Sequence, residues 1–548
     1  MTLLGVLGGH HRAVADRAGG VQLGRARLSW WAGVGDRWHR PSDEVAIRQL
    51  RRRGTPVLDT AWRVAGGDVR AETYGAMVAG REWIVLDLHN ATRVPITLAL
   101  VVQDGRDDVG TGGDGAARGR PSWQLAGPVL HGPGGGGALL VTGRPADAWC
   151  EAADPDELLD RLAGGRTVDF DPGAGAAGVS ASGGAACVAV VLALTHGSSL
   201  RVLAAPDPLP EAAAAGGVAR ASAAPVDPSR APAAEAVARG WQQQLGTGCR
   251  VDTGDDGATT ELTAARAQLL LRPPSGRLDG SADAAALAAL GHDREAAMHL
   301  DPALAATIGK PLLADDARRL LVAVADVVRW SPDAVTLAEP LLASAVSLAA
   351  WAAPGGPAAG ARVSGGSNGG DGDVVSWALE AVATRAGAAP PEGIAGRRGR
   401  GRGARHTAGE AVSPAWLRRT TAGPDAAVVL QQRATLVDDD TPGALLLLPG
   451  FGPAWRGRAV EVHGLPTAAG TLSFALRWHG ERPALLWQVD ERPGASSVRL
   501  RCPAIDPAFS SSERRGEALL AAPATRPDAT RPHDTADGLQ PPDPGSFR

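Results

Sequence analysis

Hydrophobic and polar residues alternate along much of the first 200 positions, which is the two-residue period of half-buried β-strands. Turn-forming residues at 66–68 and 90–95 divide these runs. The predicted strands are 56–64, 69–77, 83–89, 96–102, 123–125, 138–142 and 186–194. Short strands separated by about 8–12 residues predict an N-terminal antiparallel β-sandwich over residues 1–204.

The hydrophobic period lengthens to three or four residues beyond position 233, where alanine and leucine dominate. The predicted helices are 233–245, 261–271, 282–290, 315–330, 336–351 and 374–385. Asp315 and Asp316 precede the most regular of them, at the helix end that favours negative charge. These segments predict a helical-hairpin domain over residues 233–386.

Alternation returns near the end of the chain and predicts a small C-terminal antiparallel β domain over residues 413–522. Leu472, Phe474 and Leu476 alternate with more polar neighbours, and a turn at 479–482 leads into another strand. Facing residues of an antiparallel pair share one side of the sheet. We therefore predict a meander whose apolar face, including Phe474, is buried.

Segments poor in large apolar residues separate and follow these three units. They are an Ala/Pro linker at 205–232, an Arg/Gly-rich linker at 387–412 and a tail at 523–548 that we predict to be disordered. The pattern as a whole predicts a multidomain α+β protein.

The charge balance is close to neutral, with 55 Lys plus Arg against 59 Asp plus Glu and a net charge of −4. This balance argues against a polybasic nucleic-acid binder. The arginine-rich stretch 397–405 contains no aromatic residue on which a base could stack. Lys310 is the sole lysine, and because Pro311 follows it the chain contains no GK[ST] phosphate-binding loop.

The cysteines and the apolar runs predict a cytoplasmic protein that does not enter a membrane. The four cysteines are scattered and form no C-x-x-C pair. The first 20 residues lack the apolar core of a secretory signal, and the longest apolar run, 185–195, is too short to span a bilayer.

Three local patterns match functional motifs in their letters alone. The sequence GGSNG at 365–369 matches the nucleophile elbow, but no strand precedes it. The sequence GTGGDG at 110–115 matches a dinucleotide-binding loop, but no helix follows it. His292 and His299 can share one helical face, yet a third metal ligand is missing. We therefore predict no cofactor and no metal site.

Tryptophan is unusually abundant, with 15 Trp against 5 Phe and 1 Tyr. Indole rings stack on sugar faces, and they also fill large cores where phenylalanine is scarce. Trp330, Trp351 and Trp377 lie in or at the ends of predicted helices and are candidates for substrate stacking. Packing in a core is the alternative role for all three.

The order of sandwich, linker, helical hairpins and small β domain resembles that of the six-hairpin glycosidase-like superfamily. The stretch 241–271 is similar to the entry into that family's helical toroid, and 331–351 is similar to one of its hairpins. The stretch 447–489 resembles the closing β domain of an actinobacterial branch. The resemblance implies glycogen-debranching, maltose-phosphorylase or rhamnosidase-type relatives. About 170 residues are too few for twelve helices, so we expect an incomplete toroid.

The resemblance also implies an intracellular, carbohydrate-associated protein that binds an oligosaccharide or polysaccharide. If the protein is an enzyme, the resemblance implies hydrolase-like cleavage by two carboxyl groups about 5–5.5 Å or 6.5–9.5 Å apart, or phosphorylase-like cleavage by one acid and an inorganic nucleophile. Asp371 and Asp373 are the catalytic candidates, and a helix N-cap with a solvated loop charge is their alternative role. We expect no acid pair at either spacing. A noncatalytic scaffold or binding protein that has lost the glycosidase site is the second hypothesis.

Overall fold

The computed structural model describes most of the chain in atomic detail. The described residues are 1–104, 123–132, 138–169, 179–180, 186–206, 226–277, 279–307, 310, 312–331, 334–352, 371–388, 418, 422–441, 443–492 and 498–523. Only the backbone is described for residues 104, 138–139, 179–180, 206, 279, 334–340, 351–352 and 371–373. Within these ranges the protein is a multidomain α+β structure with four sheets and nine α-helices.

The first 206 residues form two sheets. Their strands are β1 (Thr2–Gly5), β2 (Arg12–Ala15), β3 (Val21–Leu23), β4 (Ala26–Val34), β5 (Arg37–His39), β6 (Ile47–Arg51), β7 (Leu58–Val64), β8 (Gly67–Val78), β9 (Arg81–Thr92), β10 (Ile96–Asp104), β11 (Gln124–Ala126), β12 (Val129–His131), β13 (Ala138–Thr142), β14 (Ala148–Ala152), β15 (Val168–Asp169), β16 (Val179–Ser180), β17 (Cys187–Leu194) and β18 (Ser199–Pro206). One sheet has the order β1-β2-β3-β4-β10-β17-β14-β15, with β5 paired to β4. The other has the order β16-β11-β12-β13-β18-β9-β8-β7-β6.

The two sheets share one apolar core, because alternate residues of each point towards the other. Leu4 and Trp30 from the first sheet meet Trp62 and Leu86 from the second in this core. The Trp30 and Trp62 rings meet edge to face, with centroids 4.9 Å apart. We call these two packed sheets the N-terminal sandwich.

The helices lie mainly in the middle of the chain. They are α1 (Pro155–Ala163), α2 (Ala234–Leu245), α3 (Asp256–Leu271), α4 (Asp279–Ala289), α5 (Asp293–Ala305), α6 (Ala314–Trp330), α7 (Ala334–Ala352), α8 (Asp371–Arg385) and α9 (Pro424–Leu436). Helix α6 is central, because it packs against α4, α7 and α8. Every residue of its last three turns, from Leu320 to Trp330, is buried. A helix buried on all sides is typical of the middle of a helical layer.

Nine further strands complete the fold. They are β19 (Arg250–Asp252), β20 (Val437–Asp438), β21 (Ala444–Leu447), β22 (Val460–Thr467), β23 (Gly470–His479), β24 (Arg482–Glu491), β25 (Arg499–Cys502), β26 (Asp506–Ser511) and β27 (Arg515–Leu519). They form two sheets, with the orders β19-β22-β23-β24-β27 and β20-β21-β25-β26. Strand β19 lies between two helices in the sequence but pairs with β22. Helices α2 to α9 and both of these sheets share a single apolar core, whereas α1 packs on strands of the N-terminal sandwich.

Strand β23 confirms the predicted burial of Phe474. Leu472, Phe474 and Leu476 are all buried, with Phe474 only 3% exposed. Phe474 faces Val462 on β22 and Trp487 on β24. The meander predicted around the turn at 479–482 is therefore present, with its apolar face in the core.

Side-chain contacts join the N-terminal sandwich to helix α3 at the outer strand β1. The Leu3 N–H donates to the Gln268 side-chain oxygen (2.6 Å), and the Gln268 amide nitrogen donates to the Leu3 carbonyl (3.2 Å). The Arg12 Nε donates to the Leu271 carbonyl at 2.5 Å. Gln268 is itself buried, whereas Leu3 and Arg12 are partly exposed.

The predicted multidomain α+β class with antiparallel sheets is confirmed, except that β21 and β25 of the C-terminal region pair in parallel. The predicted domain boundaries and the toroid stay predictions. The sequence analysis did not identify α1, α5 or α9. Helix α9 lies within the range predicted as a β domain, where the β-branched Val428 and Val429 favour strands. Pro424 at its first turn is the start signal that would have indicated a helix.

Candidate functional site

An open cavity of about 650 Å³ lies where the N-terminal sandwich meets α3 and α9. Its volume lies within the range of small-molecule sites in proteins, about 300–1,000 Å³. It is lined by Arg51, Asp256, Gly257, Thr260, Glu261, Ala264, Ala265, Pro424, Asp425 and Val428. We call it the Asp425 cavity.

Helix geometry brings the polar lining residues together. Asp255 caps α3 by accepting a hydrogen bond from the Ala258 N–H (3.1 Å). Residues spaced three or four apart then share one face of the helix, which is why Thr260 and Glu261 line the cavity with Asp256. Asp425 reaches the cavity from the first turn of α9.

The electrostatics of Asp425 depend on two arginines. The Arg272 guanidinium donates to Asp425 at 2.5 Å and also to the buried Asp283 at 2.6 Å. Burial raises the pKa of Asp425, while Arg272 and then Arg51 act in the opposite direction. Burial lowers the pKa of Arg51, which donates to the Thr2 hydroxyl at 3.0 Å. The cavity thus presents three carboxyl groups, one guanidinium and one hydroxyl.

A second group of polar residues lies between α6, α8, α9 and the chain on both sides of α9. We call it the arginine–aspartate cluster. Its charged members are Asp326, Arg329, Arg418, Arg433, Asp439 and Asp440, and its aromatic members are Trp330 and Trp377.

Each carboxylate of the cluster is bound to at least one arginine. Asp326 accepts two hydrogen bonds from Arg418, at 2.6 and 2.7 Å. Asp440 accepts two more from Arg418, both at 2.9 Å, and one from Arg329 at 2.9 Å. Asp439 accepts from Arg433 at 3.1 Å, and also from the Trp330 ring N–H at 3.1 Å.

The surrounding charges determine the protonation of the three carboxyl groups. Burial acts against ionisation of Asp439 and Asp440, but the neighbouring arginines outweigh it and the pKa of each is lowered. For Asp326, which is fully buried, desolvation dominates and the pKa is raised despite Arg418. Salt bridges with this degree of burial tie elements together and are costly to break from one side.

Two of the three predicted stacking residues, Trp330 and Trp377, lie in this cluster, and their stacking role stays a prediction. Trp330 is 1% exposed, and the guanidinium of Arg433 lies 4.0 Å from its ring centroid. Trp377 is half-buried, with the guanidinium of Arg329 at 4.8 Å. The side chain of Trp351 lies outside the described residues, as do those of Asp371 and Asp373 in the first turn of α8.

The sequence analysis did not identify the residues of the Asp425 cavity. Three separate segments of the chain, near Arg51, Asp256 and Asp425, converge there only after folding. Asp425 itself follows Gly423 and Pro424, which form a recognisable helix start. That local signal could have placed Asp425 at a helix N-terminus, although not in a cavity.

The described ranges contain neither a metal-binding group of side chains nor a membrane-spanning helix. No group of three or more His, Cys, Asp or Glu side chains in them could hold a metal ion. None of the helices in these ranges has the length and apolar character that crossing a bilayer requires. His292 and His299 are buried, and burial lowers the pKa of each to about 4.

Comparison with known proteins finds similarity among solved structures only. No family model matches the sequence, and no curated protein matches it. A bacterial glucoamylase complexed with acarbose is similar over 69% of this chain, with 9% sequence identity and a TM-score of 0.43. The matched region spans 61% of that chain, so the similarity covers less than two thirds of the glucoamylase. A TM-score in this range does not identify an activity.

Proposed function

We propose that the protein binds a neutral oligosaccharide, or a segment of a polysaccharide, in the Asp425 cavity. The observation that carries the proposal is the lining of that cavity, where three carboxyl groups, a guanidinium and a hydroxyl converge on about 650 Å³. Carboxylates accept hydrogen bonds from sugar hydroxyls, and Arg51 and Thr260 supply donors. A small number of polar groups that fix orientation is typical of a ligand site.

The charge around the cavity favours a neutral ligand over a strongly charged one. Asp256, Glu261 and Asp425 contribute up to three negative charges, and Arg51 and Arg272 contribute two positive charges. A neutral sugar satisfies donors and acceptors of both kinds without bringing an unpaired charge into the cavity. We also propose that the helices form an incomplete toroid, as the resemblance to six-hairpin glycosidase-like proteins implies. A carbohydrate ligand agrees with that resemblance.

The proposal is a binding function, and glycosidic hydrolysis is the second candidate. The observation that favours hydrolysis is the raised pKa of Asp425, because a general acid must hold its proton near neutral pH. The observation that favours binding alone is the 2.5 Å ion pair with Arg272, which stabilises the ionised carboxylate.

We propose a cytoplasmic location, since all four cysteines are free and buried.

Titration calorimetry with maltotetraose, cellotetraose and laminaritetraose tests the proposal. At least one tetrasaccharide should bind the parent, and Glu261→Gln should weaken binding about tenfold by removing one charged acceptor. Glu261 is exposed, so this variant should fold normally. Glu517→Gln is the matched control, because Glu517 is exposed on β27 and does not line the cavity.

The outcomes separate the two candidates. Binding that is lost in Glu261→Gln and kept in Glu517→Gln, without release of reducing sugar, supports a binding protein. If the parent releases reducing sugar and Asp425→Asn abolishes that release, the protein is a glycoside hydrolase and the binding proposal is wrong. If no tetrasaccharide binds the parent, or if both glutamine variants bind equally well, the proposal is wrong.

A further inference from the structure

Arg418 places its guanidinium between the carboxylates of Asp326 and Asp440 and beside the rings of Trp330 and Trp377. We propose that these four residues form a guanidinium-binding site, occupied by Arg418, that accepts a free alkylguanidinium ion when the Arg418 side chain is removed. The site is separate from the Asp425 cavity, and the proposal does not depend on the proposed function.

The hydrogen bonds match the donors of a guanidinium group. Arg418 donates to Asp326 through Nε and Nη2, at 2.7 and 2.6 Å. It donates to Asp440 through Nη1 and Nη2, both at 2.9 Å. Paired, parallel hydrogen bonds to a carboxylate are the contact that a planar guanidinium makes and an ammonium does not. Both edges of the group are therefore recognised.

Aromatic rings provide the second independent observation. The Arg418 guanidinium carbon lies 5.2 Å from the Trp330 ring centroid and 5.6 Å from that of Trp377. Cations within about 6 Å of an indole ring are stabilised by its quadrupole, and more strongly so where water is excluded. Two carboxylates combined with two indole rings select for a flat cation.

When its three carboxyl groups are all ionised, the cluster needs a cation in this place for its charges to balance. Asp326, Asp439 and Asp440 provide three carboxylates, and Arg329 and Arg433 provide two of the three guanidinium groups that bind them. Removing Arg418 would leave these side chains one positive charge short. An uncompensated buried carboxylate is strongly unfavourable. A cation that binds there from solution should therefore stabilise the fold.

The guanidinium site lies close to the protein surface, although it is mostly buried. The Arg418 side chain is 12% exposed, and a cavity of about 10 Å³ lined in part by Asp326, Arg319 and Arg418 lies next to it. Truncating Arg418 to glycine would extend this small cavity into the guanidinium position. A methylguanidinium ion has the shape of the missing end of the side chain.

Thermal unfolding of Arg418→Gly with added methylguanidinium tests the proposal. The variant should unfold at a lower temperature than the parent, and millimolar methylguanidinium should recover at least half of that loss in a saturable manner. Methylammonium at equal concentration should not recover the loss, because it lacks the planar set of N–H donors that a guanidinium presents. The matched control is Arg458→Gly, which removes an exposed arginine that pairs with Asp255 at 2.5 Å. Neither this control nor the parent should respond to methylguanidinium.

A second variant locates the rescue. Adding Asp440→Asn to Arg418→Gly removes one charged acceptor and should raise the half-saturating methylguanidinium concentration several-fold. No rescue, rescue by methylammonium to the same extent, or equal rescue of Arg458→Gly would overturn the proposal. If Arg418→Gly is recovered only as aggregate, the test is whether it refolds to soluble protein in the presence of methylguanidinium or of methylammonium. Soluble protein with methylguanidinium alone supports the site, and aggregate under both conditions overturns it.

Discussion

Replacing Phe474 by alanine tests how the C-terminal sheets and the helices are held together. Phe474 lies on β23, between β22 and β24, and its ring is 3% exposed. Its neighbours across the sheet are Val462 and Trp487, both buried. Because paired strands fix both sides of β23, the sheet has little freedom to collapse into the space left by the ring.

The expected loss follows from this packing. Truncating a buried phenylalanine to alanine costs about 3–5 kcal/mol, and sites that cannot collapse lie in the upper half of the range. Phe474 belongs to the same apolar core as the helices. The helical circular dichroism signal should therefore shift to lower urea concentration together with the tryptophan fluorescence. Urea titrations followed by both signals measure this change in the free energy of unfolding.

Ser473→Ala is the neighbouring control on the other face of β23. The Ser473 hydroxyl accepts a hydrogen bond from the Gly464 N–H at 3.0 Å, where the pairing of β22 and β23 shifts register. Losing one such bond should cost about 0.5–1.5 kcal/mol. The reasoning is refuted if the two variants lose equal stability. A shift in fluorescence without a shift in the helical signal would refute the shared core.

Three further outcomes are expected. Gly75→Ala should destabilise the N-terminal sandwich by about 1–3 kcal/mol or more in urea titrations, because a Cβ there would lie 2.3 Å from the Gly5 carbonyl oxygen; an unchanged midpoint would contradict this close approach. Lowering the pH from 7 to 5 should reduce the free energy of unfolding by about 1–2 kcal/mol for each of His292 and His299. Their pKa is about 4 in the folded protein and about 6.5 in the unfolded chain, so the unfolded chain binds more protons below pH 6.5. A variant with both histidines replaced by glutamine that loses as much stability over this range would contradict the prediction. Asp439→Asn should cost about 3–5 kcal/mol in a thermal or urea titration, because it leaves buried arginines without their carboxylate; a loss below about 1 kcal/mol would show that the cluster adapts.

Local patterns could predict many of the elements but not the sites. The alternation around Phe474 predicts both its strand and its burial, and the three-to-four spacing before Trp330 predicts α6 nearly to its ends. The Asp425 cavity needs residues more than 370 positions apart, such as Arg51 and Asp425. No periodicity carries that information, since it depends on how the sandwich packs on the helices.

The same limit applies to the arginine–aspartate cluster. Asp326 and Arg329 occupy positions of α6 that an amphipathic pattern would assign to a solvent-facing side. They can be buried because they form ion pairs with residues far along the chain, Asp326 with Arg418 and Arg329 with Asp440. The catalytic candidates Asp371 and Asp373 rest on two acids that lie close together in the longest loop between predicted helices, and their role stays a prediction.

The amide of Gln268 has a consequence for how the N-terminal sandwich survives outside the full protein. Strand β1 is the last strand of its sheet, and outer strands offer unpaired backbone groups that attract strands of other molecules. A glutamine amide carries one donor and one acceptor side by side, as a peptide unit does, so Gln268 substitutes for one residue of a neighbouring strand at Leu3. A fragment that ends within the linker after β18 would lose this cover, and its molecules would tend to join edge to edge.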